Sequence, residues 1–186
     1  MVTKKRSYFS LSEWVIIILL ALASASLNTY LPIKSITEYL GIPGPAAGMA
    51  LLGGVIFVLW ISLAYQITKK KYSGIITSVF IASICLLIHP WYGVIEPAWF
   101  SIYGIAALLG MGVIIELTGF KPSWLAIVGG GLGNLACLGI TWLAIGFHTS
   151  MWIPSEFAPF LALVAIISGS VGVLLARGIS LLPKSS

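Results

Sequence analysis

Six apolar runs, at residues 14–31, 46–67, 73–88, 100–118, 123–147 and 158–176, constrain this chain more than any other feature, and the one charged residue inside them is Glu116. About 20 apolar residues are what a helix needs to cross the hydrocarbon of a bilayer. The expected fold is therefore all-α: an integral membrane protein whose residues 1–186 form a single membrane domain, a bundle of six transmembrane helices. The run at 73–88 lies at the short limit for a span. A composition of 59% hydrophobic and 8% charged residues leaves no stretch for a soluble domain. Soluble chains hold roughly 45–50% apolar residues.

Charge placement gives the orientation. Nine of the ten Lys and Arg (Lys4, Lys5, Arg6, Lys69, Lys70, Lys71, Lys121, Arg177 and Lys184) fall on the side of the chain termini, and Lys34 falls on the other. Positive residues stay on the cytoplasmic side, so both termini are expected there. The net charge of +5 is thus an orientation signal and not a nucleic-acid groove; the expected surroundings are membrane lipid. Ser10-Leu-Ser-Glu13 has the pattern of a capping box opening the first helix. The basic start and Ala21-x-Ala23-x-Ala25 also fit a cleavable signal peptide, but the apolar run continues to Pro32, a length suited to a span. Cys85 and Cys137 sit inside apolar runs and read as small buried hydrophobes. Gly129-Gly130-Gly131-x-Gly133 lacks the lysine-serine ending of a phosphate loop and lies within a span. Close helix packing is the expected use of this run, of Gly53-Gly54, of Gly110-x-Gly112 and of Gly169-x-x-Gly172. Ala21, Ala25 and Thr29 make a narrow face of small residues on the first helix, for packing within the bundle or against a separate membrane subunit.

Function is expected in the outer breaks between runs. HPWYGVIEPAW, residues 89–99, brings His89, Trp91, Tyr92, Glu96 and Trp99 together, and HTSMWIPSEFAP, residues 148–159, repeats the ingredients with His148, Trp152 and Glu156. The third break, 33–45, carries Glu38. Aromatic rings and carboxylates in this combination suit a cationic or nitrogen-rich planar small molecule, stacked on the rings and paired with a carboxylate. The bland alternative is an interface belt of Trp and Tyr with solvated glutamates. Asn134, an amide within an apolar helix beside the glycine run, is either a further ligand contact or an interhelical hydrogen bond. A metal site of His89, His148, Glu96 and Glu156 is conceivable, but the spacing matches no compact motif, so no metal is expected. The chain contains no Asp, no H-E-x-x-H and no G-x-S-x-G, so neither an enzyme nor a bound cofactor is expected. Ionisable groups are nearly missing from the span centres, which argues against a proton relay. Glu116 is expected to pair with a basic group such as Lys121.

Chain length, six spans with both ends inside, Ala21-x-x-x-Ala25 on the first helix and the Pro32-bounded first outer loop resemble the substrate-binding S components of energy-coupling factor (ECF) importers. The resemblance covers nearly the whole chain. It implies a vitamin-binding subunit in a prokaryotic cell membrane, joined to a transmembrane coupling subunit and two cytoplasmic ATPase subunits. Ala21 and Ala25 would contact the coupling subunit, and the 33–45 loop would act as a lid. Family sites for thiamin and its hydroxymethylpyrimidine precursor are similarly rich in Trp, Tyr, His, Glu and Asn, which makes these the expected ligands. The N-terminal histidine motif of the cobalt and nickel type is missing here. Other readings are an S component for another vitamin or a divalent metal, a standalone small transporter, and a membrane enzyme or assembly factor. Ala25→Trp separates two uses of the first helix: uptake lost with binding intact marks a coupling face, and loss of both marks packing within the bundle.

Overall fold

The computed structural model describes residues 8–32, 35–36, 39, 45–88, 100–119 and 123–181. In chain order the helices are α1 (Leu11–Tyr30), α2 (Pro45–Gly53), a π-helical turn (Gly54–Val58), α3 (Leu59–Thr68), α4 (Ser73–Ile88), α5 (Phe100–Gly119), α6 (Ser123–Thr149) and α7 (Ala158–Ser180). No strand occurs among the described residues. The α2, π and α3 segments run on without a break as one span, so five helical stretches are long and apolar enough to cross a membrane. The sixth, α4, has 16 residues, short of the roughly 20 of a typical span. Every helix expected from the apolar runs is present, with ends displaced by about a turn or less.

Polar groups at the helix ends explain where the elements start and stop. Ser10 caps α1: its hydroxyl accepts the Glu13 N–H at 3.3 Å, and the Glu13 carboxylate accepts the Ser10 N–H at 2.7 Å. The capping box therefore begins the helix at Leu11, a turn before the expected Trp14. Lys70 reaches the same carboxylate at 2.6 Å and donates to the Tyr8 carbonyl at 2.7 Å, tying the α3–α4 turn to the start of α1. That turn is tight, with Lys69 and Tyr72 both at positive φ, 51° and 69°.

Glu116 of α5, whose expected partner Lys121 lies outside the described residues, caps α4. Its two carboxylate oxygens accept the N–H groups of Tyr72 at 2.7 Å and Gly74 at 2.9 Å. Four N–H groups at a helix start have no partner inside the helix, and a carboxylate suits them by hydrogen bonding and by charge. Glu116→Ala should therefore lower thermal stability by about 1–3 kcal/mol for each amide left unpartnered. Thermal unfolding in detergent measures the loss; an unchanged midpoint would mean that the cap is dispensable.

The span built from α2, the π turn and α3 is central. Of its apolar window 72% is buried inside the molecule, against 28% to 44% for the other four long spans. α1, α4, α5, α6 and α7 form an arc around it, each packed on the next from α4 to α7, with α1 against α4. Chain direction follows from the paired residues. Gly74 lies by Glu116 and Ser78 by Gly112, so α4 and α5 are antiparallel. Ser168 bonds to Leu51 and Ser180 to Gln66, so α7 is parallel to the central span. Glu13, Lys70, Glu116 and Ser180 accordingly share one end of the bundle, the Lys70 end.

Glycine lets these helices touch backbone to backbone, as the glycine pattern predicts. A Cβ on Gly54 would overlap the Ser168 carbonyl of α7, and a Cβ on Gly169 would overlap the Gly130 carbonyl of α6. Ala21 and Ala25 behave in the same way, which corrects the expectation that they present a docking face to a partner subunit. Both are fully buried, in the same cluster as Ile56, Phe57 and Val58 of the central span. The buried stripe of α1 is Ile17, Ala21, Ser24, Ala25 and Asn28, one face of a 3.6-residue period. Its outward side carries Leu11, Val15, Ile18, Leu19 and Leu22. The helix uses its narrow face on its own bundle because the central span offers a partner at close range.

Candidate functional site

Two polar loci stand out, one at each depth of the bundle. The first lies opposite the Lys70 end. Because α5 and α6 are antiparallel, the first turn of α5 meets the last turn of α6. Tyr103 Oη and His148 Nε2 are 3.1 Å apart, with rings edge to face at 5.4 Å between centroids. α6 stops one residue later: Ser150 adopts φ 57°, and the Thr149 hydroxyl accepts the Met151 N–H at 3.2 Å. This turn folds Trp152 back onto α6, where its indole covers Gly146; any side chain there would collide with the ring. Trp152 also meets Phe147 edge to face at 5.5 Å. One face of the indole is thus fixed against the helix while 52% of the residue remains accessible. Glu156, in the turn before α7, is exposed.

Of the expected site residues, the structure brings His148 and Trp152 to one end and adds Tyr103. That tyrosine lies one turn inside an apolar run, so its sequence position gave no separate sign of a site, although it immediately follows the 89–99 break. Glu38, His89, Trp91, Tyr92, Glu96 and Trp99 lie outside the described residues. A phenol beside an imidazole can donate or accept a hydrogen bond, and a braced indole offers a flat surface for stacking. Each of these is an element that can recognise a planar polar molecule. Among the described residues no group of three His, Cys, Asp or Glu side chains could hold a metal ion.

Asn134 belongs to the second locus. It is fully buried and fourteen residues before His148 on the same helix, a separation of about 21 Å at 1.5 Å per residue. Its amide nitrogen donates to the Ala165 carbonyl of α7 at 2.9 Å, and reaches the Ala50 carbonyl of α2 at 3.5 Å. The interhelical alternative for this residue is the arrangement seen. Its Oδ1 has no hydrogen-bond partner and rests against Gly53. Two serines complete the locus. The Ser168 hydroxyl accepts the Gly54 N–H at 3.1 Å and donates to the Leu51 carbonyl at 2.7 Å, and Ser24 of α1 donates to the Ile56 carbonyl at 2.5 Å. Hydroxyls and an amide from three surrounding helices thus converge on residues 50–56 of the central span. Nothing in the sequence distinguishes these two serines from other small residues in apolar runs.

No family model, curated protein or solved structure matches the chain.

Proposed function

We propose that the chain is the substrate-binding subunit of an ECF-type vitamin importer: a six-span bundle in a prokaryotic cell membrane, both termini cytoplasmic, that captures thiamin or its pyrimidine precursor at the His148 end. The observation that carries this reading is the Tyr103–His148 pair. It joins the start of α5, directly after the 89–99 segment, to the end of α6, where the 148–159 segment begins, so the two histidine- and tryptophan-bearing segments adjoin neighbouring helix ends. Lys69, Lys70, Lys71 and Arg177 at the opposite end support reading that end as the cytoplasmic one. The small ligand would stack on Trp152 and hydrogen-bond to Tyr103 and His148. A coupling subunit and two ATPases would then use surfaces other than the buried alanines of α1.

Calorimetry on the purified protein tests the ligand. Thiamin or hydroxymethylpyrimidine is expected to bind at micromolar concentration or tighter and to change tryptophan fluorescence. Trp152→Ala is expected to weaken binding about tenfold or more, the loss of roughly 1.4 kcal/mol of stacking and packing. Absence of heat and of any fluorescence change at micromolar ligand would remove the substrate assignment. Uptake into liposomes without ATPase subunits would favour a standalone transporter instead.

A further inference from the structure

The π turn occupies the middle of the most buried span. The Leu59 N–H bonds to the Gly54 carbonyl, five residues back, where an α-helix would bond four back. Such a turn holds one residue more than the α-helix requires, and single π turns tend to mark functional positions. Moving the turn along the helix by one residue rotates only the residue it passes, by about 100°, while both flanking segments keep their packing.

The surroundings suit such movement. At the leading edge lie Gly53 and Gly54, which have no side chain to sweep past the neighbours. The Ser168 hydroxyl already accepts the Gly54 N–H of the turn and donates to the Leu51 carbonyl in the last turn of α2. Asn134 Oδ1, buried and without a hydrogen-bond partner, sits against Gly53. A backbone group of this stretch that loses its helical partner when the turn shifts toward α2 has this oxygen beside it as an open acceptor. We infer that the π turn at Gly54–Val58 is a mobile hinge, which passes between at least two positions along the central span with Asn134 and Ser168 exchanging its freed backbone groups. α2 points to the His148 end and α3 to the Lys70 end. On the ligand-binding reading given above, on which this role alone rests, the hinge links ligand occupancy at one end to the shape of the other.

Deleting Val55 tests the hinge. This residue is the part of the turn that faces outward, 38% exposed, and its removal leaves an unbroken α-helix with both flanks in register. In nitrogen-15 glycine-labelled protein in lipid nanodiscs, wild-type Gly53 and Gly54 are expected to show microsecond-to-millisecond relaxation dispersion. Gly139 and Gly178, whose surroundings are open, are expected to give flat profiles. The Val55 deletion should flatten Gly53 and Gly54 while keeping the melting midpoint within about 5 °C of wild type. Asn134→Leu, which removes the waiting acceptor, should reduce the dispersion. Flat profiles at Gly53 and Gly54 in the wild type would overturn the inference. So would failure of the deletion variant to fold, because the bulge would then be a packing requirement and not a mobile element. Dispersion without any binding of thiamin or its precursor would leave the hinge standing and remove the vitamin reading; binding without dispersion would do the reverse.

Discussion

Ala25→Trp is expected to yield no folded protein, so binding and uptake are lost together. Ala25 is fully buried and packs with Ala21 in the cluster that includes Ile56, Phe57 and Val58. Adding even a few methylenes to a packed core costs about 1–3 kcal/mol. An indole is far larger than the methyl it replaces, and α1 would have to leave the central span, breaking the Ser24 bond to the Ile56 carbonyl. Size-exclusion chromatography and near-ultraviolet circular dichroism read the result. Leu22→Trp, on the outward face at 41% exposure, is the control and should remain folded. A folded Ala25→Trp protein that binds ligand and fails only in uptake would mean that the inward placement of α1 is wrong and that its small face serves a partner.

Gly54→Val is expected to be as severe for a different reason. The new Cβ would overlap the Ser168 carbonyl, and that oxygen is part of the α7 backbone and cannot swing aside. The whole of α7 would have to retreat, opening the contact of Gly172 with Gly54 and the hydrogen bond from Gly54 N–H to the Ser168 hydroxyl. The expected loss is about 3 kcal/mol or more, at the upper end for overpacking, read as failure to accumulate or as a collapsed melting midpoint. The contrast is Gly139→Ala: nothing lies within 4 Å of its would-be Cβ, and alanine in a helix is favoured over glycine by about 1 kcal/mol. That variant should melt at the wild-type temperature or above. Equal tolerance at both glycines would mean that the seam between the central span and α7 is looser than described.

These two residues show what was legible beforehand. Gly54 could be assigned to helix packing from Gly53-Gly54 alone, because two adjacent glycines in an apolar span have few other uses. Ala25 was ambiguous, since a small face packs equally well on its own bundle or on another subunit. A sequence states the width of a helix face and not its direction. Asn134 carried the same ambiguity: an amide inside a span must find a partner, but whether that partner is ligand or backbone depends on which carbonyl lies opposite. Tyr103 was not legible as a site residue, because its partner His148 is forty-five positions away and is reached only through antiparallel packing of α5 on α6.

The apolar runs by themselves determined the helices, since unbroken stretches of that length have one way to satisfy their backbone in lipid, and the capping box determined the start of α1. The distribution of lysine and arginine set the expected orientation. Only the tertiary structure decided that the second run lies at the centre, that its middle widens into a π turn, and that Ser24, Ser168 and Asn134 close around that turn. The reason is physical. Helix formation depends on residues three to five apart along the chain, whereas the identity of a helix's neighbours depends on steric fit among faces that are all apolar and hardly differ in composition.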